Sequence, residues 1–217
     1  MNSVRIKICG VTNANDARAC VELGADMIGF NFYRQSPRYI EPQAARQIIE
    51  QLPREIGAVG VFVDTDVEEI RKTAERSNVR CVQLHGDFAP QTCSDLAREV
   101  RVIRAFTTDR RFDPGNAAAF SDCDVLVDAY HRDLRGGTGQ TCDWSAARAT
   151  LAFTRFLILS GGLNSQNVRD AITTVMPHAV DVCSGVETTP GVKNYRALRE
   201  FITAVRHAER AKVSSAS

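Results

Sequence analysis

Short β-branched runs alternate with amphipathic helical patterns from end to end of this chain, eight times at a repeat of about 25 residues. The strand candidates are residues 4–9, 26–32, 57–63, 81–84, 102–106, 124–128, 156–159 and 180–183. Between them apolar residues return at i, i+3, i+4 and i+7, as in Ala45, Ile48, Ile49, Leu52; Cys93, Leu96, Ala97, Val100; Val168, Ala171, Ile172, Val175; and Leu198, Phe201, Ile202, Val205. Each repeat is therefore a strand followed by a helix with one buried stripe. Strands in strict alternation with helices run parallel, and eight such units fit a closed (β/α)8 TIM barrel better than a doubly wound sheet, which usually has fewer strands. A length of 217 residues suits one such α/β domain, expected over residues 1–211, with 212–217 as a disordered tail.

Local signals agree with the periodicity. Thr65 with Glu68 reads as a capping box, Pro42 and Pro90 fall near helix starts, and Gly24 follows the first helix. The fifth helix, residues 112–120, contains Pro114 and Gly115 and is expected to be short or irregular.

Composition narrows the function. The formal net charge is +1 and no basic block is interleaved with aromatics, so nucleic acid is not an expected partner. No apolar run approaches the roughly 20 residues of a membrane span, and the first residues lead straight into a strand, so a cytoplasmic protein without a membrane partner is expected. Seven cysteines, odd in number and never in a C-x-x-C pair, argue against a disulfide framework and a zinc site. Cys20 and Cys93 read as core residues of apolar helix faces. No spacing of His, Asp and Glu suits a metal, and no G-x-G-x-x-G follows a strand, so neither metal nor dinucleotide is expected.

Barrels of this class build their sites at the C-terminal strand ends. The first strand ends in Cys9, set before a turn, which makes it a candidate catalytic thiol. With Cys9 pointing inward, Lys7 lies on the same side, and the polar residues expected there from other strands are Gln83, His85, Arg104, Asp128 and Asp181. So many polar groups at strand ends are hard to explain as packing. Asp128 closes an apolar run, where desolvation would raise its pKa toward general-acid duty; its bland alternative is a cap for the next loop. Ser160-Gly161-Gly162 and Ser184-Gly185 follow the last two strands and read together as a phosphate cradle, with Gly161, Gly162, Ser184 and Gly185 as the binding residues. The long loop after Asp128, with Gly136, Gly137 and Gly139, reads as a lid. Arg38, more than Arg34, is placed to hold a substrate carboxylate. His131, His178 and His207 read as loop or helix-surface residues, and His85 as a pocket wall.

These segments resemble the phosphoribosylanthranilate isomerase family of tryptophan biosynthesis. The matching stretches are Lys7-Ile8-Cys9-Gly10, Gly29-Phe30-Asn31-Phe32-Tyr33 with Ser36-Pro37-Arg38-Tyr39, Val61-Phe62-Val63, Val82-Gln83-Leu84-His85-Gly86, Asp128 with Gly136-Gly137-Thr138-Gly139 and Asp143-Trp144, Leu159-Ser160-Gly161-Gly162-Leu163, and Ser184-Gly185-Val186-Glu187 with Pro190-Gly191. The resemblance implies a cofactor-independent aldose-to-ketose Amadori rearrangement of a phosphorylated small molecule. It also implies Asp128 as general acid, Cys9 as general base, Arg38 on the anthranilate carboxylate and the glycine loops on the phosphate. A thiol acts as a base only as thiolate, and Lys7 is a candidate for lowering its pKa. The chain departs from the family pattern at Cys142 (phenylalanine is common there), Cys183 (serine) and Asn194 (aspartate).

Alternatives remain open at this level. One is a Schiff-base lyase using Lys7, another a histidine-pathway type of sugar-phosphate isomerase, and a third a non-catalytic barrel that binds phosphate esters. A monomer is the default expectation, with a homodimer as the alternative.

Overall fold

A computed structural model describes residues 3–109, 112–129 and 144–214. Its first half runs β1 (Arg5–Ile8), α1 (Ala14–Leu23), β2 (Met27–Asn31), α2 (Pro42–Ile49), β3 (Gly57–Val63), α3 (Val67–Ser77), β4 (Cys81–His85), α4 (Pro90–Ala97) and β5 (Arg101–Thr107). A 3-10 helix (Pro114–Phe120) takes the place of the fifth helix. The second half adds β6 (Asp124–Asp128), α5 (Trp144–Thr150), β7 (Leu157–Ser160), α6 (Val168–Val175), β8 (Ala179–Val182), β9 (Glu187–Thr189), β10 (Val192–Lys193) and α7 (Tyr195–Ser214). Strands β1 to β8 form a closed barrel in sequence order, sealed by the parallel pairing of β1 with β8. The expected (β/α)8 barrel is the observed fold. Helix α7 includes the first three residues of the expected tail.

Two apolar layers hold the barrel. Met27, Val59, Cys81, Ile103, Ala105, Leu126, Ile158 and Ala179 fill its interior, one strand parity throughout. The opposite parity packs outward against the helices, with Ile6, Ile8, Ile28, Phe30, Val125 and Val180 meeting Ala17, Ala45, Ala171, Ile172, Phe201 and Val205. Each element carries its periodicity into a buried face, the main source of stability for helices this short. Cys20 and Cys93 are fully buried on helix faces, as their positions suggested.

The local signals need two adjustments. Proline opens α2 and α4, and Gly24 ends α1 at φ 104°, a conformation that glycine adopts without strain. The N-cap of α3, however, is Asp66, whose carboxylate accepts from Glu68 N; the Thr65 hydroxyl donates instead to Val63 O. The irregular fifth segment has Asp113 as its cap, accepting from Gly115 N at 2.8 Å.

Arg104 does not face the barrel interior. The register pairs Gln83 with Ile103 and Leu84 with Arg104, so Arg104 shares the outward parity of Leu84. Its guanidinium lies over the rings of Phe106 and Phe120 and donates to the carbonyls of Leu84, Ala105 and Gly86. The expected position was one residue out of phase, and one residue in a strand exchanges faces.

Candidate active site

The C-terminal ends of the strands bring the remaining candidates to one mouth. Lys7 is wholly buried, and its ammonium donates to Asp181 Oδ1 at 2.9 Å across the β1–β8 seam. Asp181 Oδ2 accepts from Ser160 Oγ of β7 at 3.3 Å, and Ser160 is in register with Asp128 of β6. A polar arc therefore runs from β1 through β8 and β7 to β6. Burial pulls the Lys7 pKa down, but the Asp181 carboxylate and the Cys9 sulfur more than offset it, so the ammonium is held charged above its ordinary value.

Cys9 follows β1, its backbone N–H donating to Val182 O at 2.9 Å, which sets it beside Cys183. Its thiol is lowered from 9.0 to about 6. A hydrogen bond from Cys183 contributes most, burial opposes it, and the Lys7 ammonium adds to the lowering. Cys183 is itself raised, since it keeps the proton it shares toward Cys9 and is largely desolvated. Cys183 is one of the positions where the chain departs from the family pattern, and a thiol there still offers a donor, as a serine would. Room at this corner is limited. Gly10 has φ 74°, and a Cβ on it would fall 2.6 Å from Arg38 Cδ.

Arg38 lies between β2 and α2, with its side chain 22 % exposed. Its Nε donates to both oxygens of Glu187 at 3.0 Å and its Nη2 to Oε2 at 2.7 Å. Arg34 is 78 % exposed and reaches Glu41 at 3.7 Å, away from this cluster. Glu187 also accepts from Lys193 Nζ at 2.8 Å, and Lys193 donates in turn to the carbonyl of Cys9. Glu187 and Lys193 carry no role in the sequence reading, although both lie in or beside the glycine-rich stretch. They come together through the β9–β10 hairpin, whose two short strands have no periodicity to read.

Asp128, Ser160, Gly161, Gly162, Leu163, Asp181, Cys183 and Ser184 line a cavity of about 330 Å³ where β6, β7 and β8 end. The two glycine loops touch there: a Cβ on Gly185 would fall 2.0 Å from Leu163 O, so only glycine lets them meet. On the opposite wall Gln83 reaches His85 Nε2 at 2.7 Å. Burial, then Lys7, lowers His85 to about 4, so the ring is neutral at pH 7. The expected lid glycines Gly136, Gly137 and Gly139, with Cys142 and His131, lie outside the described residues. Asn194, the third departure, caps α7 through its carbonyl oxygen, accepting from Arg196 N and Ala197 N at 3.1 Å, as an aspartate would. Among the described residues no cluster of three metal-ligating side chains occurs, and no helix is long and apolar enough to cross a membrane.

A closed eight-stranded barrel with a thiol of lowered pKa, a buried lysine–aspartate pair and a further carboxylate at its strand ends has the groups of an enzyme site in the (β/α)8 class, and its chemistry suits proton transfer. The family model described as N-(5'-phosphoribosyl)anthranilate (PRA) isomerase matches residues 6–204. The isomerase of that name from Geobacter sulfurreducens is 45 % identical over 92 % of this chain and 97 % of its own length. Solved structures agree. Monomers generated from the dimeric phosphoribosylanthranilate isomerase of Thermotoga maritima superpose at TM-score 0.85, with 40 % identity, over 94 % of this chain and 99 % of the other. A phosphoribosylanthranilate isomerase in complex with reduced 1-(o-carboxyphenylamino)-1-deoxyribulose 5-phosphate gives 0.84 and 41 % over the same shares. The chain belongs to the N-(5'-phosphoribosyl)anthranilate isomerase family.

Proposed function

We propose that this protein isomerises N-(5'-phosphoribosyl)anthranilate to 1-(2-carboxyphenylamino)-1-deoxyribulose 5-phosphate, a step of tryptophan biosynthesis, with Cys9 and Asp128 as base and acid. The observation that carries the assignment is the Cys9 thiol, lowered to about 6 between Cys183 and Lys7 on the same mouth as Asp128. An aldose-to-ketose shift is redox-neutral and needs one acid and one base, so the chemistry calls for no cofactor. Asp128 gives its proton to the furanose ring oxygen, the C1–O bond breaks, and the anilino nitrogen lone pair closes an iminium. The iminium acidifies C2–H, and the Cys9 thiolate takes that proton to leave an enolamine. Transfer of the enol proton from O2 to C1 gives the ketone.

In this reading Arg38 receives the anthranilate carboxylate. Its Nε and Nη2 edge is held by Glu187, while Nη1 has no partner among the described residues and lies on the terminal edge of the guanidinium. The cavity between the glycine loops takes the phosphate, through Gly161, Gly162, Ser184 and Gly185. Gln83 and His85 form a neutral wall. The protein acts in the cytoplasm as a monomer; sedimentation at assay concentration separates this from the dimeric state named for the Thermotoga maritima relative.

The decay of substrate fluorescence in the presence of purified protein tests the function. Cys9→Ala and Asp128→Asn should each lower kcat by roughly 10²- to 10⁴-fold, the usual worth of a positioned acid or base, while still binding a product analogue. Near-normal turnover in either variant overturns its role, and no decay with the unaltered protein overturns the function.

A further inference from the structure

Glu187 is a buried carboxylate surrounded by donors. Its side chain is 4 % exposed, and it accepts from Arg38 Nε and Nη2, from Lys193 Nζ at 2.8 Å and from Gly191 N at 3.2 Å; the Cys183 thiol lies 3.8 Å from Oε1. Its charge is fully engaged within the protein, and the proposed chemistry makes no use of it. It joins three parts of the mouth: the loop that carries Arg38, the β9–β10 hairpin, and, through Lys193, the backbone carbonyl of Cys9.

The geometry points to Glu187 as the positioning residue that makes the site selective for an acidic aromatic amine, by turning the terminal edge of Arg38 toward the substrate carboxylate. This rests on Arg38 being the carboxylate receptor. An arginine side chain has many rotamers, and a fork aligned to a carboxylate is useful only when the guanidinium plane is fixed. Glu187 fixes it by gripping the Nε/Nη2 edge, which leaves Nη1 and the second Nη2 proton to form the fork. The Arg38 stem is held from below as well, packed so closely over Gly10 that a Cβ there would meet Cδ.

Charge and orientation make opposite forecasts here. Glu187→Gln removes a negative charge beside Arg38 and Lys193, so a purely electrostatic role would tighten the binding of a carboxylate. A positioning role loosens it. The test measures binding of reduced 1-(o-carboxyphenylamino)-1-deoxyribulose 5-phosphate and of its phenylamino counterpart, which lacks the carboxylate, to the unaltered protein, Glu187→Gln, Glu187→Asp and Arg38→Met. The unaltered protein should prefer the carboxylated analogue by roughly 10- to 100-fold, the worth of a charge-assisted hydrogen-bond pair. Glu187→Gln should lose most of that preference and bind the phenylamino analogue as before, and Glu187→Asp, charged but too short, should keep part of it. With substrate, KM should rise more than kcat falls.

A preference retained in Glu187→Gln but lost in Arg38→Met overturns the positioning role and leaves Arg38 as receptor. A preference retained in both overturns the receptor assignment and the proposal with it. Equal loss of both analogues in both Glu187 variants also overturns the proposal, because it marks a structural prop without selectivity for the carboxylate.

Discussion

The mouth of the barrel has two unlike sides. Along the β8–β1 seam nearly every polar side chain is an ion with a partner: Lys7 with Asp181, Arg38 and Lys193 with Glu187, and the Cys9 thiolate beside Cys183 and Lys7. The β4 wall is neutral and incompletely satisfied. His85 is uncharged at pH 7, and Gln83 Oε1 is buried with no hydrogen-bond partner among the described residues. The contrast separates two tasks. In the proposed mechanism the base is a thiolate, which needs fixed charges around it, since charge stabilisation in a desolvated site works best when the groups do not have to reorganise. In the proposed function the other side is a wall for an aromatic substrate, which needs shape and low polarity and can leave a hydrogen-bonding group open.

Substitutions on either side can break this contrast. The largest effect is expected from Lys7→Met, which leaves the Asp181 carboxylate buried without its cation and should cost about 3–5 kcal/mol in a urea titration. A shift below 1 kcal/mol would mean that the seam is less charged than described. Next is the acidic limb of kcat/KM. Because Cys9 is lowered from 9.0 to about 6, thiolate predominates above pH 6, and activity should fall as pH drops through that value. The linked stability has the same sign, fully present above the unfolded thiol pKa and lost as pH falls through about 6. Cys183→Ala removes the leading cause of the shift and should move the limb upward, whereas Cys183→Ser keeps a donor and should move it less.

Substitutions away from the seam should have smaller effects. Arg104→Lys loses the planar contacts over Phe106 and Phe120 and part of the carbonyl bonding, with an expected cost of about 1–2 kcal/mol in stability and no change in the pH profile. His85→Asn should leave the limb near pH 6 in place, since the ring titrates near 4; a displaced limb would transfer the titration from Cys9 to His85. Its folded pKa lies below the unfolded value, so His85 makes acidification from about 6.5 to 4 destabilising, and the substitution should flatten that slope slightly.

Much of this was legible in the sequence because the periodicities are local. Parity alone brought Lys7, Cys9, Gln83, His85, Asp128 and Asp181 to one end. It failed for Arg104 because an arginine in an apolar strand looks like a site residue whichever way it faces, and only the pairing of Leu84 with Arg104 settles the phase. Partnerships were not legible. The ion pair between residues 7 and 181 spans 174 positions, and the Arg38–Glu187 pair spans 149. Lys193 gave no signal of its own, since a lysine after a Pro-Gly turn reads as a surface residue until the hairpin folds it inward to Cys9 O.

The seam that closes the barrel has a consequence for how the protein is made. The hydrogen bond that lowers the Cys9 thiol most comes from Cys183, just past the eighth strand, so the thiol beside the first strand lacks it until Cys183 has left the ribosome and docked beside it. Closing so long a loop is a late event in folding, since its entropy is lost before its contacts form. Activity should therefore return with the slowest phase of refolding, and a chain stopped before β8 would keep its thiol protonated and unreactive at neutral pH, a safeguard supplied by connectivity alone.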